Sequence, residues 1–103
     1  MTRQVLVTGA SKGIGKAIAI QLAKDGFTIV VHYMGDEKGA QNTLDTILQN
    51  GGQGRLIQFD ISDRAACRSK IEHDIEQHGA YYGVVNNAGI TRDTAFPAMT
   101  EEE

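Results

Sequence analysis

The sequence predicts an α/β fold, a doubly wound parallel sheet with strand order 3-2-1-4. Three observations predict it. Short runs rich in β-branched residues alternate with amphipathic helical stretches along the chain. Strands separated by helices must be parallel and joined by crossovers. The first strand runs straight into a glycine-rich turn and then a helix, which presents backbone N–H groups and a helix N-terminus to a phosphate.

The first strand is Gln4–Thr8. The first helix starts near Gly13 and is predicted to bury Ile14, Ala17, Ile18, Leu22 and Ala23, at three- and four-residue spacing. Asp25-Gly26 ends it, with Gly26 at a left-handed cap. The second strand, Thr28–Tyr33, is rich in β-branched residues. Met34-Gly35-Asp36-Glu37 is a turn. The second helix, Lys38–Gln49, puts Ala40, Leu44, Ile47 and Leu48 on one face, and Asn50-Gly51-Gly52 stops it. Arg55–Phe59 is the third strand. Ser62 is expected to cap a third helix that turns Ala66, Cys67, Ile71 and Ile75 inward and stops at Gly79. Gly83–Asn86 is the fourth strand. In this order the crevice lies between strands one and four, at their carboxyl ends, where the order reverses.

A chain of 103 residues is one domain, 1–103, and can bury a real core. A net charge of −3 and the acidic run Glu101-Glu102-Glu103 argue against a nucleic-acid footprint. The longest apolar run, Ile29-Val30-Val31, is far short of a membrane span. Met1-Thr2-Arg3-Gln4 leads directly into a strand pattern, so no signal peptide is expected. The single cysteine, Cys67, excludes an internal disulfide, fits a reducing compartment and reads as a small core residue. The expected location is cytoplasmic. No internal repeat or low-complexity segment stands out. Thr100-Glu101-Glu102-Glu103 has the form of a capping box, following Pro97. It announces a helix where the sequence stops, although a frayed acidic tail is the plainer alternative. The expectation is the front part of a longer protein, with strand four as a bare edge.

The glycines follow the spacing Gly9-x3-Gly13-x-Gly15. Gly9 permits a tight turn after the strand, Gly13 lets the backbone approach a pyrophosphate, and Gly15 lets the helix pack closely. Ser11 and Lys12 lie between them, on the ligand side. An ATP-type P-loop does not fit, because Ala10 and Ala17 stand where a Gly and a Ser or Thr are needed. No carboxylate stands at the end of strand two, in Val31-His32-Tyr33-Met34-Gly35. That leaves room for a 2′-phosphate, and Lys12 adds a positive charge beside the phosphate path. Both favour NADP(H) over NAD(H). Asp36 and Glu37 count the other way, but are expected to face solvent at the start of helix two. His32 either assists the 2′-phosphate or is a packed strand residue. Asp60, at the end of strand three, either accepts a hydrogen bond from an adenine amino group or tethers local backbone. The small residues and amides of Asn86-Asn87-Ala88-Gly89 let a flat ligand lie close to the backbone.

Taken in order and spacing, Thr8-Gly9-Ala10-Ser11-Lys12-Gly13-Ile14-Gly15, Asp60 and Asn86-Asn87-Ala88-Gly89 closely resemble the short-chain dehydrogenase/reductase family. The run through Ile90-Thr91-Arg92-Asp93 looks most like its 3-oxoacyl-[acyl-carrier-protein] reductases. The resemblance covers the whole chain and implies a Rossmann-type sheet, here part of a larger three-layer sandwich. It implies that Gly9, Ser11, Lys12, Gly13, Ile14 and Gly15 line the pyrophosphate and adenosine ribose. Tyr33, Met34 and Gly35 would surround the 2′-phosphate, and Asp60 and Ile61 the adenine. Asn87, Ala88 and Gly89 would contact the ribose on the nicotinamide side. The family often has an Asp where Tyr82 stands and a branched apolar residue where Gly83 stands, so strand four is expected to start later or pack more loosely.

The family's chemistry needs a Tyr with a Lys four residues on, and a Ser upstream. Here Tyr33, Tyr81 and Tyr82 are followed at that distance by Glu37, Val85 and Asn86. No catalytic residue is assigned. The implied function is NADPH-dependent reduction of an acyl-carrier-protein-linked 3-oxoacyl thioester, with this chain supplying cofactor binding and inactive by itself. The full-length protein would be a homo-oligomer, a dimer or tetramer. Two alternatives stand beside it: a non-catalytic dinucleotide-binding or interaction module, and an NAD-linked alcohol dehydrogenase of the same family.

Overall fold

The computed structural model describes residues 3–88. Four strands, β1 (Gln4–Val7), β2 (Thr28–Tyr33), β3 (Gln53–Gln58) and β4 (Gly83–Val85), alternate with three helices, α1 (Gly13–Lys24), α2 (Glu37–Gln49) and α3 (Arg64–His78). The sheet is parallel in the order β3-β2-β1-β4, as the sequence predicts. Val5 sits between Ile29 and Gly83, and Val7 between Val31 and Val85. That register brings the ends of β1 and β4 to one level, with β2 running on two residues further to Tyr33. Gly83 does begin β4, but its three residues are only half-buried.

The side-chain period of a strand divides the apolar residues between two faces. Val5, Val7, Ile29 and Val31 meet Ala19 and Ala23 of α1 and Ala40 and Ile47 of α2. Leu6, Val30, Ile57 and Phe59 meet Cys67 of α3. Each large side chain so buried contributes about 1.5–3 kcal/mol.

Local chemistry ends the helices where expected. Gly26, at φ +101°, allows a Schellman closure of α1: its N–H donates to Ala23 and that of Phe27 donates to Leu22. Gly51 and Gly52 close α2 the same way, on Leu48 and Ile47. Gly79 is the C-cap of α3.

Other expectations are corrected. Ile14 and Ala17 do not face the core; Ile14 is 67% exposed. The buried residues of α1 are Gly15, Ala19 and Ala23, because Gly15 lies against the Gly9 carbonyl and fixes the rotation of the helix. Leu48 is exposed, and Thr43 is fully buried with Ala40 and Ile47. Ser62 does not cap α3. Its N–H and hydroxyl both donate to Asp60, and the cap is Asp63, which accepts from the Ala66 N–H at 3.1 Å. Of the inward residues expected on α3, Cys67 alone is buried, and Ala66, Ile71 and Ile75 are half-buried. The capping box at 100–103, with Pro97 before it, lies outside the described residues.

Candidate functional site

The turn after β1 is built from the backbone outward. Gly9 has φ +63°, a conformation that L side chains rarely adopt. Its N–H donates to His32 Nδ1 at 3.0 Å, and the Ala10 N–H donates to the His32 carbonyl at 2.9 Å. The Ala10 carbonyl accepts from the Thr43 hydroxyl of α2 at 2.8 Å, so a buried threonine ties that helix to the turn. On the other side, the Asn87 amide donates to the Gly9 carbonyl at 3.1 Å and the Ala88 N–H donates to the Thr8 hydroxyl at 3.0 Å. A Cβ on Gly9 would come within 3.1 Å of both Ala88 and Asn87. The turn is therefore held from β2, α2 and the segment after β4 at once.

The helix start beyond the turn is open. Gly13 has φ +62°, and a Cβ placed there meets no heavy atom within 4 Å. The N-cap residue, Lys12, makes no side-chain cap bond, and the first turn of α1 carries no acidic residue. The leading N–H groups and the positive end of the helix dipole are thus free of a capping carboxylate, a suitable place for an anion. Lys12 itself is exposed.

A cleft of about 510 Å³ opens beside the turn, within the range of small-molecule sites. Gly9, Ser11 and Ala88 form one wall; Tyr33, Met34 and Gly35, at the end of β2, form another. Asp60 and Ile61, after β3, close it. These eight were all singled out in the sequence. The cleft does not bring in Lys12, Gly13, Ile14 or Gly15, which lie along the adjoining helix start, and Asn87 acts through the Gly9 carbonyl. Gly89 lies outside the described residues.

Three further residues line the cleft: His32, Asp36 and Ser62. Asp36 is exposed, as expected, yet its place in the lining corrects the expectation that it faces only solvent. It caps α2 by accepting from the Gly39 N–H at 3.0 Å. His32 is packed, 2% exposed, with its ring 4.1 Å from that of Phe59. Burial lowers its pKa from the ordinary histidine value. The hydroxyl and N–H of Ser62 hold the exposed Asp60 carboxyl below its usual range. Asp60 thus makes the local tether and also faces the cleft. Reading the sequence missed Thr43, although its position between Ala40 and Ile47 on the helical stripe was available as a signal.

Comparison with known proteins bears on what this arrangement is. The family model described as short chain dehydrogenase matches residues 3–103. The chain belongs to the short-chain dehydrogenase family. It is 50% identical over its whole length to a 3-oxoacyl-[acyl-carrier-protein] reductase of Aggregatibacter actinomycetemcomitans, of which it covers 43%. It is 40% identical, again over its whole length, to a 3-oxoacyl-[acyl-carrier-protein] reductase of Staphylococcus aureus, of which it covers 42%. The chain thus spans less than half the length of these curated relatives. Among solved structures, a promiscuous reductase that catalyses keto-reduction in lugdunomycin biosynthesis superposes with a TM-score of 0.75 at 32% identity, over 87% of this chain and 42% of that one. A landomycin C-6 ketoreductase with bound NADP and rabelomycin gives 0.75 at 32% identity, over 85% of this chain and 38% of that one.

The short-chain dehydrogenase fold explains why the glycine spacing is what it is. Gly15 lies where a Cβ would run into the Gly9 carbonyl, and Gly13 where a Cβ would fill open space in front of the helix. Among the described residues no group of His, Cys, Asp and Glu could hold a metal ion, and no helix is long and apolar enough to cross a membrane.

Proposed function

We propose that this chain is the nucleotide-binding portion of an NADPH-dependent reductase that converts an acyl-carrier-protein-linked 3-oxoacyl thioester to the 3-hydroxyacyl form. The observation that carries the proposal is the uncapped, glycine-lined start of α1 opening beside a cleft at the carboxyl ends of the strands. The relatives named as 3-oxoacyl-[acyl-carrier-protein] reductases, similar over the whole chain, support the substrate class. The NADP in the landomycin ketoreductase supports the cofactor.

In this reading Gly9, Ser11, Lys12, Gly13, Ile14 and Gly15 hold the pyrophosphate and the adenosine ribose. Tyr33, Met34 and Gly35 take the 2′-phosphate, Asp60 and Ile61 the adenine, and Asn87, Ala88 and Gly89 the second ribose. The cofactor supplies hydride. The chain's own residues bind and orient it. No tyrosine here has a lysine four residues on, so we place proton donation outside these residues and expect the chain alone to be inactive.

Calorimetric titration with NADPH and with NADH tests the proposal. Saturable binding with NADPH the tighter ligand is the expected result. Binding of neither overturns it. Tighter NADH binding transfers the site to an NAD-linked dehydrogenase of the same family. The presence of the Asp36 carboxylate in the cleft lining favours that second reading, since a carboxylate near the end of β2 suits ribose hydroxyls and repels a 2′-phosphate.

A further inference from the structure

His32 is a buried side chain that the binding scheme above leaves unused. Both of its ring nitrogens are engaged. Nδ1 faces the Gly9 N–H at 3.0 Å, and Nε2 faces the Phe59 carbonyl at 2.8 Å. A backbone N–H can only donate and a carbonyl can only accept. The two partners therefore dictate one tautomer: neutral imidazole, with the proton on Nε2 and the lone pair on Nδ1. The ring bridges the glycine turn after β1 and the end of β3, at the lining of the cleft.

We infer that His32 is a positioning residue for the nucleotide site, acting through the Gly9 N–H that it holds. Gly9 stands at positive φ and its carbonyl is fixed by Asn87, so a bond to its N–H sets the plane of the peptide that opens the turn. Without an acceptor there, that donor is left unpaired or the turn rotates to find water. The inference rests on the nucleotide reading of the cleft. It goes beyond it by assigning the geometry of the phosphate-facing turn to a side chain that touches no phosphate.

Protonation of His32 would put a second N–H against that of Gly9. The neutral form is favoured by burial, so the arrangement holds above the ordinary histidine range and is lost as pH falls through the lowered value. The other ionisable groups around the ring are Tyr33 on its own strand, Asp36 at the start of α2, Asp60 after Phe59, and the Cys67 thiol of α3 in the cluster that holds Phe59. The Ser62 hydroxyl and N–H hold Asp60 below the usual carboxylate range, and burial pushes the Cys67 thiol above the usual thiol range.

Two amide substitutions separate the two ends of the ring. In His32→Asn the amide oxygen reaches the place of Nδ1, and the bond to Phe59 is lost. In His32→Gln the amide reaches the place of Nε2, and the acceptor for Gly9 is lost. At pH 8, NADPH affinity in His32→Asn is expected to stay within about threefold of the unsubstituted chain. In His32→Gln it is expected to fall about tenfold or more. Thermal stability should drop in both. Equal losses of affinity, or affinity that merely follows stability, overturn the inference. On acidification below the ordinary histidine range, the unsubstituted chain should lose more affinity than His32→Asn does, the 2′-phosphate titrating in both; matching profiles overturn it too. Nitrogen-resolved imidazole spectra at pH 8 should show the Nε2–H tautomer with no ligand present, and an Nδ1–H tautomer overturns the inference directly. If the tautomer is as expected and neither NADPH nor NADH binds, the nucleotide reading is what has failed, and the positioning role falls with it.

Discussion

The two faces of the sheet are closed in different ways. On one, α1 and α2 lie over Val5, Val7, Ile29 and Val31, and the buried set is apolar apart from Thr43, with Ala19, Ala40 and Ile47 fully inaccessible. On the other, α3 alone covers Leu6, Val30 and Ile57, and its packing partners Ile61, Ile71, Tyr81 and Val84 stay half-buried. Polar bonds finish that face. Arg55 of β3 forks onto Asp74 of α3 at 2.9 and 2.6 Å and also donates to Gln4 at 2.7 Å. The Tyr81 hydroxyl donates to the same carboxylate at 2.7 Å, and Gln4 donates to the His78 carbonyl at 2.7 Å. The face sealed mainly by apolar area carries a buried directional bond as well, from the Thr43 hydroxyl to the Ala10 carbonyl. Where one helix must cover three strands and more, an ion pair and its neighbours hold it in place. The glycine turn sits at the carboxyl edge of the first, better sealed face, which supplies Thr43 as a tether.

The sharpest way to break this contrast is to cut equal pieces from both faces. Ile47→Ala should cost about 3 kcal/mol or more in urea denaturation, because its side chain is wholly enclosed. Ile71→Ala, at the half-buried margin of α3, should cost less than half of that; equal losses would show that the faces are closed alike. Gly15→Ala comes next. Its new methyl would run into the Gly9 carbonyl, and Asn87 stands 2.6 Å away, so α1 must lift from the turn at a cost of about 1–3 kcal/mol. Dinucleotide binding should fall with it, and unaltered binding would detach the turn from the packing of α1.

The polar face should be sensitive to acid. Burial works against the Asp74 carboxylate, but Arg55 and Tyr81 outweigh it and lower its pKa below the ordinary value. A carboxylate lowered on folding stabilises the native state above its unfolded pKa, and this contribution is lost as pH falls through the folded value. Asp74→Asn should therefore lower stability near neutrality, by about 1–2 kcal/mol for a charge-assisted pair at this depth, and flatten the acid limb of the stability profile. An unchanged acid limb would remove Asp74 from the clamp. The smallest effect is Lys12→Glu, on an exposed residue that should leave the fold intact. It should weaken NADPH several-fold and NADH less, by reversing a charge in screened solvent. Equal weakening would take Lys12 out of contact with the 2′-phosphate.

The strands and the turn were legible because they are local. Ile29-Val30-Val31 favours extended backbone wherever it stands, and Gly9, Gly13 and Gly26 permit backbone that other residues resist. Strand, glycine turn and helix in succession fixed the sheet order and pointed to the cleft before any packing was known. Other details were decided by competition between neighbours. Ser62 and Asp63 are both good caps, and Asp60 engages the first, leaving the second to start α3.

By itself the sequence determined the family, the element order and most of the cleft-lining residues, since these depend on residue types at fixed short spacings. Only the tertiary structure decided which way α1 faces, why a threonine is buried in α2, what His32 bonds to and how Arg55 finds Asp74. Each of these depends on a partner between 6 and 33 residues away in the chain. Helical periodicity ranks Ile14 with the core, but close contact of Gly15 with the Gly9 carbonyl turns it outward. A pattern along one segment gives its amphipathic stripe; the direction of that stripe is set by the closest approach of two backbones.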